Sequence, residues 1–144
     1  GFSVQAFEQL RDYARTPRPS GKRLIDDPLF AARLTEIEID LEAMKVTNLR
    51  MLAQATKNGA PGLESSMLKI KGTVIRQALN DLSRRALGPA AAPFPSEDLE
   101  GNAALVPPEH AASAARYFNN RKLSIYGGSN EIQRNILSKA MLGL

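Results

Sequence analysis

The chain has 144 residues with 19 Lys+Arg against 15 Asp+Glu, a net charge of +4, one His, no Cys and no Trp. Its length suits one domain, and 43% hydrophobic with 24% charged residues suffices for a core, which excludes wholesale disorder. The absence of cysteine excludes a disulfide scaffold, a thiolate metal site and a thiol nucleophile, and a lone histidine excludes any site built on two imidazoles.

The helical pattern is already running at Phe2: Phe2, Ala6, Leu10 and Tyr13 share one face. A chain that opens at Gly1 in mid-pattern, without an initiator methionine, is expected to be a piece of something longer. Pro17, Pro19 and Gly21 end this helix near Arg15. Asp27-Pro28 then signals a second start, with the carboxylate accepting from unpaired amides and proline at the first helical position. That helix is expected to reach about Lys57. Phe30, Leu34, Ile37, Leu41, Met44 and Leu52 form its stripe, widened by Ile39, Val46 and Leu49, and Asn58-Gly59 stops it.

Pro61-Gly62 reads as a turn, and a third helix is expected from Leu63 to Leu87 with Met67, Ile70, Val74, Ala78 and Leu82 recurring at helical spacing. Gly72 costs that helix about 1 kcal/mol against alanine, which a close helix–helix approach would explain. Gly88-Pro89 ends it. Residues 89–108, with Pro89, Pro93, Pro95, Pro107 and Pro108, read as an irregular excursion. A fourth helix is expected from about Pro108 to Arg121 with Ala111, Ala114, Ala115 and Phe118, and a last one from Ser129 with Ile132, Ile136, Leu137 and Met141. Nothing alternates with the period of a strand. The expected fold is all-α, an antiparallel four-helix bundle with a short extra C-terminal helix.

Tyr126-Gly127-Gly128-Ser129-Asn130-Glu131 is the stretch that carries chemistry. Two glycines open backbone conformations closed to other residues and leave room for a ligand. Ser129 follows as an N-cap, and Glu131 complements the helix dipole. A glycine turn feeding a helix N-terminus suits a phosphate, although the same string also describes an ordinary capped helix.

The longer run NNRKLSIYGGSNEIQRNILSKAMLGL at the C-terminus, with GLESSMLKIKGT at 62–73 and LIDDP at 24–28, resembles the acyl-CoA dehydrogenases. Within that family it is most similar to bacterial pimeloyl-CoA dehydrogenase large subunits. Members have an α-helical N-terminal domain, a β middle domain and a C-terminal helical bundle. The resemblance implies that residues 1–144 correspond to that bundle alone, entered part-way through its first helix. It implies oxidation of an acyl-CoA substrate to the trans-2-enoyl-CoA with FAD as cofactor, electron-transfer flavoprotein as acceptor, and a homo- or hetero-tetramer.

In many members the proton-abstracting base is a glutamate directly after the signature tyrosine. Here that position is Gly127, which cannot take a proton, so the resemblance implies no catalytic residue in this chain. Members with glycine there place the base on the first bundle helix, upstream of Gly1. For FAD it implies contacts from Tyr126, Gly127, Gly128, Ser129 and Glu131, with Arg18 or Arg15 standing in for the arginine of an Arg-x-(Thr/Ser)-Phe-Gly element given by a neighbouring subunit. The stretch Thr16–Gly21 lacks the phenylalanine, and a second glycine-rich flavin element near Arg84–Ala91 retains one glycine. The negative charge of Glu131 favours a bond to ribose or to its own helix end over a direct diphosphate contact. These departures leave open a non-catalytic helical oligomerisation module derived from the family.

Other candidates carry less. His110, after Pro107-Pro108, reads as a surface or capping histidine, and Ser65-Ser66 as a first helical turn with no base to activate it. Glu36, Glu38, Asp40 and Glu42 are spread around a helix, so ion pairs with Arg33, Lys45 or Arg50 are expected and no metal site. Scattered basic residues and 6% aromatics do not make a nucleic-acid surface. No apolar run reaches the roughly 18 residues of a membrane span and the start is not a signal peptide, so a cytoplasmic protein is expected.

Overall fold

The computed structural model describes residues 1–58, 64–92, 106–107 and 110–143. The expected stop at Gly59, the Pro61-Gly62 turn, the start at Leu63, Pro93, Pro95 and Pro108 lie outside the described residues. Among the described residues the chain is all-α, with five α-helices and no strand: α1 Phe2–Arg15, α2 Pro28–Asn58, α3 Glu64–Leu87, α4 Ser113–Asn119 and α5 Asn130–Leu142. Short 3₁₀ turns at Leu24–Asp26, Gly88–Ala91 and Asn120–Ser124 join or extend them.

Local chemistry sets the boundaries. The Thr16 hydroxyl donates to the Asp12 carbonyl at 3.0 Å and closes α1 just before Pro17. Arg23 and Asp26 grip each other across the 3₁₀ turn, with Nη2 to Oδ1 at 2.6 Å. Asp27 then accepts from the amides of Leu29 at 2.8 Å and Phe30 at 3.3 Å, the cap the sequence called for. At about 1.5 Å per residue, the 31 residues of α2 make a rod of roughly 46 Å.

The core lies between α1, α2 and α3. Phe7, Leu10 and Ala14 meet Phe30, Leu34, Ile37 and Leu41, and both sets meet Ile75, Leu79, Leu82 and Ala86. Two side-chain contacts give the direction of α1 against α3: Arg76 reaches Phe2 while Arg18 reaches Ala86, so α1 and α3 run the same way. Arg11 pairs with Glu38 of α2 at 3.9 Å. Along α3, Lys69, Thr73 and Gln77 bond to Asn130, Leu123 and Asn120 in turn, so the segment leading into α5 runs antiparallel to α3.

Several expected faces are turned differently. On α1, Phe7 is inside and Phe2 is 80% exposed, because Phe7, Leu10 and Ala14 are the residues stacked at three- and four-residue spacing against α3. The stripe read on α3 faces outward at Met67 and Val74; its core face is Ile75, Leu79, Leu82 and Ala86. The outer half of the α2 stripe, with Val46, Leu49 and Leu52, is also exposed, as is Ile39. Helix α4 has seven residues and passes into a 3₁₀ turn at Asn120, where two consecutive asparagines weaken the α-helix. The acidic residues of α2 pair as side-by-side helices allow: Asp40 with Lys71 at 2.7 Å, Glu42 with Lys45 at 3.2 Å.

At Gly72 the expected approach exists but does not demand glycine, since an added Cβ would sit 3.6 Å from the Met44 sulfur, in ordinary contact. Gly72→Ala is therefore expected to raise stability by about 0.5–1 kcal/mol. Leu79, 1% exposed, is expected to cost about 2–5 kcal/mol on truncation to alanine. Urea denaturation of both variants checks this, and a destabilised Gly72→Ala would show that the helices cannot accept the methyl group.

Candidate functional site

The turn ahead of α5 is built by the 3₁₀ segment and two left-handed residues. The amides of Ile125 and Tyr126 both donate to the Lys122 carbonyl, at 2.9 and 3.1 Å, which coils the chain before the glycines. Gly127 and Gly128 then take φ of +65° and +81°, a conformation that side-chain-bearing residues pay roughly 1–2 kcal/mol to adopt. Ser129 returns to extended backbone and its Oγ accepts from the Ile132 amide at 3.3 Å, so it is the N-cap. Gln133 reaches back and donates to the Gly127 carbonyl at 3.0 Å, tying the turn to the second turn of α5.

One face of this turn is open. A Cβ on Gly127 would meet nothing within 4 Å, and Tyr126 is 57% exposed beneath the Lys122 ammonium, 5.3 Å above its ring. The other face is anchored. Asn130 is buried and its Oδ1 accepts from Lys69 of α3 at 2.8 Å. Asn130 and Lys69 both fall in stretches the sequence singles out, but nothing there pairs them. Only the spacing of Lys69, Thr73 and Gln77, four residues apart, hints that α3 has a polar face turned to a neighbour.

Glu131 lies in the first turn of α5 with its side chain 75% exposed. Its own backbone amide and the Ser129 hydroxyl, with the charges of Arg134 and Lys69, hold its pKa below the usual carboxylate range. The positive helix end is thereby met from within the chain.

Arg18 stands elsewhere. Its Nη2 donates to the Ala86 carbonyl at 2.6 Å, near the C-terminal end of α3. Lys69, which holds Asn130, is 17 residues earlier on that helix, about 25 Å along the axis at 1.5 Å per residue. Within one chain, then, Tyr126, Gly127, Gly128, Ser129 and Glu131 come together and Arg18 does not join them. The single-glycine stretch that follows Arg84 is also engaged: Arg85 bonds Asp81 at 2.6 Å, and Arg84 and Arg121 lie 4.8 and 4.3 Å from the Tyr117 ring centre.

His110 departs from the expected surface position. It is 9% exposed and packs edge-on against Tyr13 with ring centres 4.8 Å apart. Among the described residues no cluster of three or more His, Asp or Glu is placed to hold a metal, and no helix is long and apolar enough to cross a membrane.

Comparison with known proteins gives one consistent picture. Residues 1–142 match the family model described as acyl-CoA dehydrogenase, C-terminal domain. The chain is 32% identical over 123 residues to the acyl-CoA dehydrogenase IpdE1 of Mycobacterium tuberculosis, a stretch that is 83% of this chain and 28% of that protein. Its fold matches the crystal structure of the ChsE4-ChsE5 complex from Mycobacterium tuberculosis with a TM-score of 0.74 and 25% identity, over 99% of this chain and 34% of that one. The chain thus spans about a third or less of the length of these relatives.

Two tests follow from the turn. Removing the cap in Ser129→Ala is expected to cost about 1 kcal/mol. Asp26, Asp81 and Glu131 all have folded pKa values below their unfolded ones: Asp26 through its bonds to Arg23, Asp81 through Arg85 and Arg84 against an opposing burial effect, and Glu131 through its own amide and Ser129. Their contribution is complete above the unfolded carboxylate range and is lost as pH falls through the lower folded values. Thermal melts across that acid window should show a shallower loss in Glu131→Gln than in the parent; an unchanged slope would remove Glu131 from this role.

Proposed function

We propose, from the premise that this chain belongs to the acyl-CoA dehydrogenase family through its C-terminal domain, that it serves as the helical domain of an FAD-dependent acyl-CoA dehydrogenase. In this reading the whole protein oxidises an acyl-CoA to the trans-2-enoyl-CoA, and this domain supplies part of the flavin site and the core of a homo- or hetero-tetramer. The observation that carries the reading is the open glycine turn, capped by Ser129 and pinned to α3 through Lys69 and Asn130.

The turn suits some parts of a dinucleotide better than others. Exposed backbone at Gly127 and Gly128, the Ser129 hydroxyl and the Tyr126 ring offer hydrogen bonds and a flat apolar surface to a sugar or a ring. The α5 helix end suits a diphosphate poorly, since the Glu131 carboxylate in its first turn would repel a second anion. FAD would therefore lie against Tyr126, Gly127, Gly128 and Ser129, with Glu131 turned to ribose or to its own helix. Arg18 would reach a flavin only on another subunit, since within this chain it sits on the Ala86 carbonyl at the far end of α3.

The chemistry FAD supplies when bound is acceptance of the β-hydrogen as a hydride, with electron-transfer flavoprotein the onward acceptor. The paired α-proton must leave to a carboxylate placed in a dry pocket. Gly127 has no side chain for that task, so in this reading the base comes from outside these 144 residues. The role left to this chain is to position the flavin and exclude water.

A second reading, a non-catalytic oligomerisation module, is favoured by the same Gly127 and by Glu131 in the first turn of α5. Exposed apolar side chains on α2 (Ile39, Val46, Leu49, Leu52) and α5 (Ile132, Ile136, Met141, Leu142) support assembly under both readings. A full-length protein carrying this domain is expected to purify yellow and to bleach on adding an acyl-CoA without oxygen; a colourless, folded oligomer would favour the module. The 144 residues alone are expected to self-associate in light scattering and to give no turnover with a dye acceptor, and a clean monomer at high concentration or measurable turnover would contradict this.

A further inference from the structure

Helix α2 is apolar on two sides. Phe30, Leu34, Ile37 and Leu41 fill the core. On the opposite side Ile39, Ala43, Val46, Leu49 and Ala53 follow one another at steps of four, three, three and four residues, and all five are exposed. At about 3.6 residues per turn they share one face, which is roughly 21 Å long at about 1.5 Å per residue. A helix packed on one side only carries polar residues along its back. The back of α2 carries a second apolar stripe instead, and water opposes its exposure.

This stripe has the same spacing in both directions from Val46. Against a copy turned end for end, Ile39 lies level with Ala53 and Ala43 with Leu49, so a large side chain meets a small one on either side of Val46. The flanking charges follow the same rule. Glu42 and Arg50, both exposed and each four residues from Val46, come level with opposite sign. Within its own chain Glu42 pairs with Lys45 at 3.2 Å, a contact in solvent that is worth little. A parallel pairing would set Glu42 level with Glu42 and Arg50 with Arg50, and like charges repel. A face that is its own complement after a half-turn is what a two-fold contact requires.

We propose that this face of α2 docks on α2 of a second copy of the chain, the two helices antiparallel and crossing on a two-fold axis at Val46, with Glu42 of each paired to Arg50 of the other. The proposal rests on the self-association expected above and fixes the surface that carries it. It uses neither flavin nor base, so it stands under both readings of the function.

The chain has no cysteine, so a single introduced thiol reports the contact. Oxidising Val46→Cys is expected to give a disulfide-linked dimer, since a residue on the axis meets its own copy within the about 4.4–6.8 Å between Cα atoms that a disulfide spans. Leu52→Cys, exposed on α2 but off the stripe, is expected to stay unlinked under the same oxidation. In sedimentation equilibrium Glu42→Arg or Arg50→Glu alone should weaken association by about tenfold or more, and the double exchange should restore it. Both positions are exposed, so the helical circular dichroism of the parent is expected in all three. A parent chain that stays monomeric at high concentration would overturn the assembly and this interface together. An oligomer in which Val46→Cys links no better than Leu52→Cys, or in which the double exchange is as weak as the single ones, would overturn this interface alone.

Discussion

Lys69, Thr73 and Gln77 lie four residues apart on α3 and hold the chain from Asn120 to Asn130 by one hydrogen bond after another. That polar seam is the constraint on which the candidate site depends. Without it the glycine turn would hang on a 3₁₀ segment and a short α4, neither of which buries enough surface to fix its own position. The opposite side of the same helix carries Ile75, Leu79, Leu82 and Ala86 into the core. One helix thus gives the domain its apolar centre and sets the height of the turn above it.

The turn itself joins two requirements that pull against each other. A flexible, open backbone at Gly127 and Gly128 admits a ligand, while the positive end of α5 asks for negative charge. In this chain Glu131, in the first turn of α5, answers the second need from within. The helix end is stabilised at the expense of its capacity for a diphosphate. In the proposed reading a flavin leans on ring and sugar contacts here and on cations from neighbouring chains, and Arg18, held on the Ala86 carbonyl at the far end of α3, would come from another subunit.

How much of this was legible in the sequence follows from where each signal is local. Asp27-Pro28 and Gly-Gly-Ser129 act within a few residues, and both gave their helix starts correctly. The all-α fold and three long helices followed from periodicity and proline. On α3 periodicity found Leu82, which is in the core, and Ala78, which packs against it, but missed Ile75, Leu79 and Ala86. That helix has neighbours on several sides, so polar, core and outward apolar residues alternate around it, and Met67 and Val74 fit the stripe yet are exposed. Phe2 and Phe7 are equal in hydrophobicity, and only the packing against α3 separates them.

The account rests on the Gly127-Gly128 turn of one subunit meeting a flavin that Arg18 of another subunit also reaches. The most direct measurement is a crystal or cryo-electron-microscopy structure of the full-length, flavin-loaded assembly. The account predicts Ser129 and the glycine backbone against one FAD in a groove between chains, with Arg18 of the neighbouring subunit reaching the same cofactor. A glycine turn facing bulk water, away from any inter-chain groove and from the flavin, would contradict it.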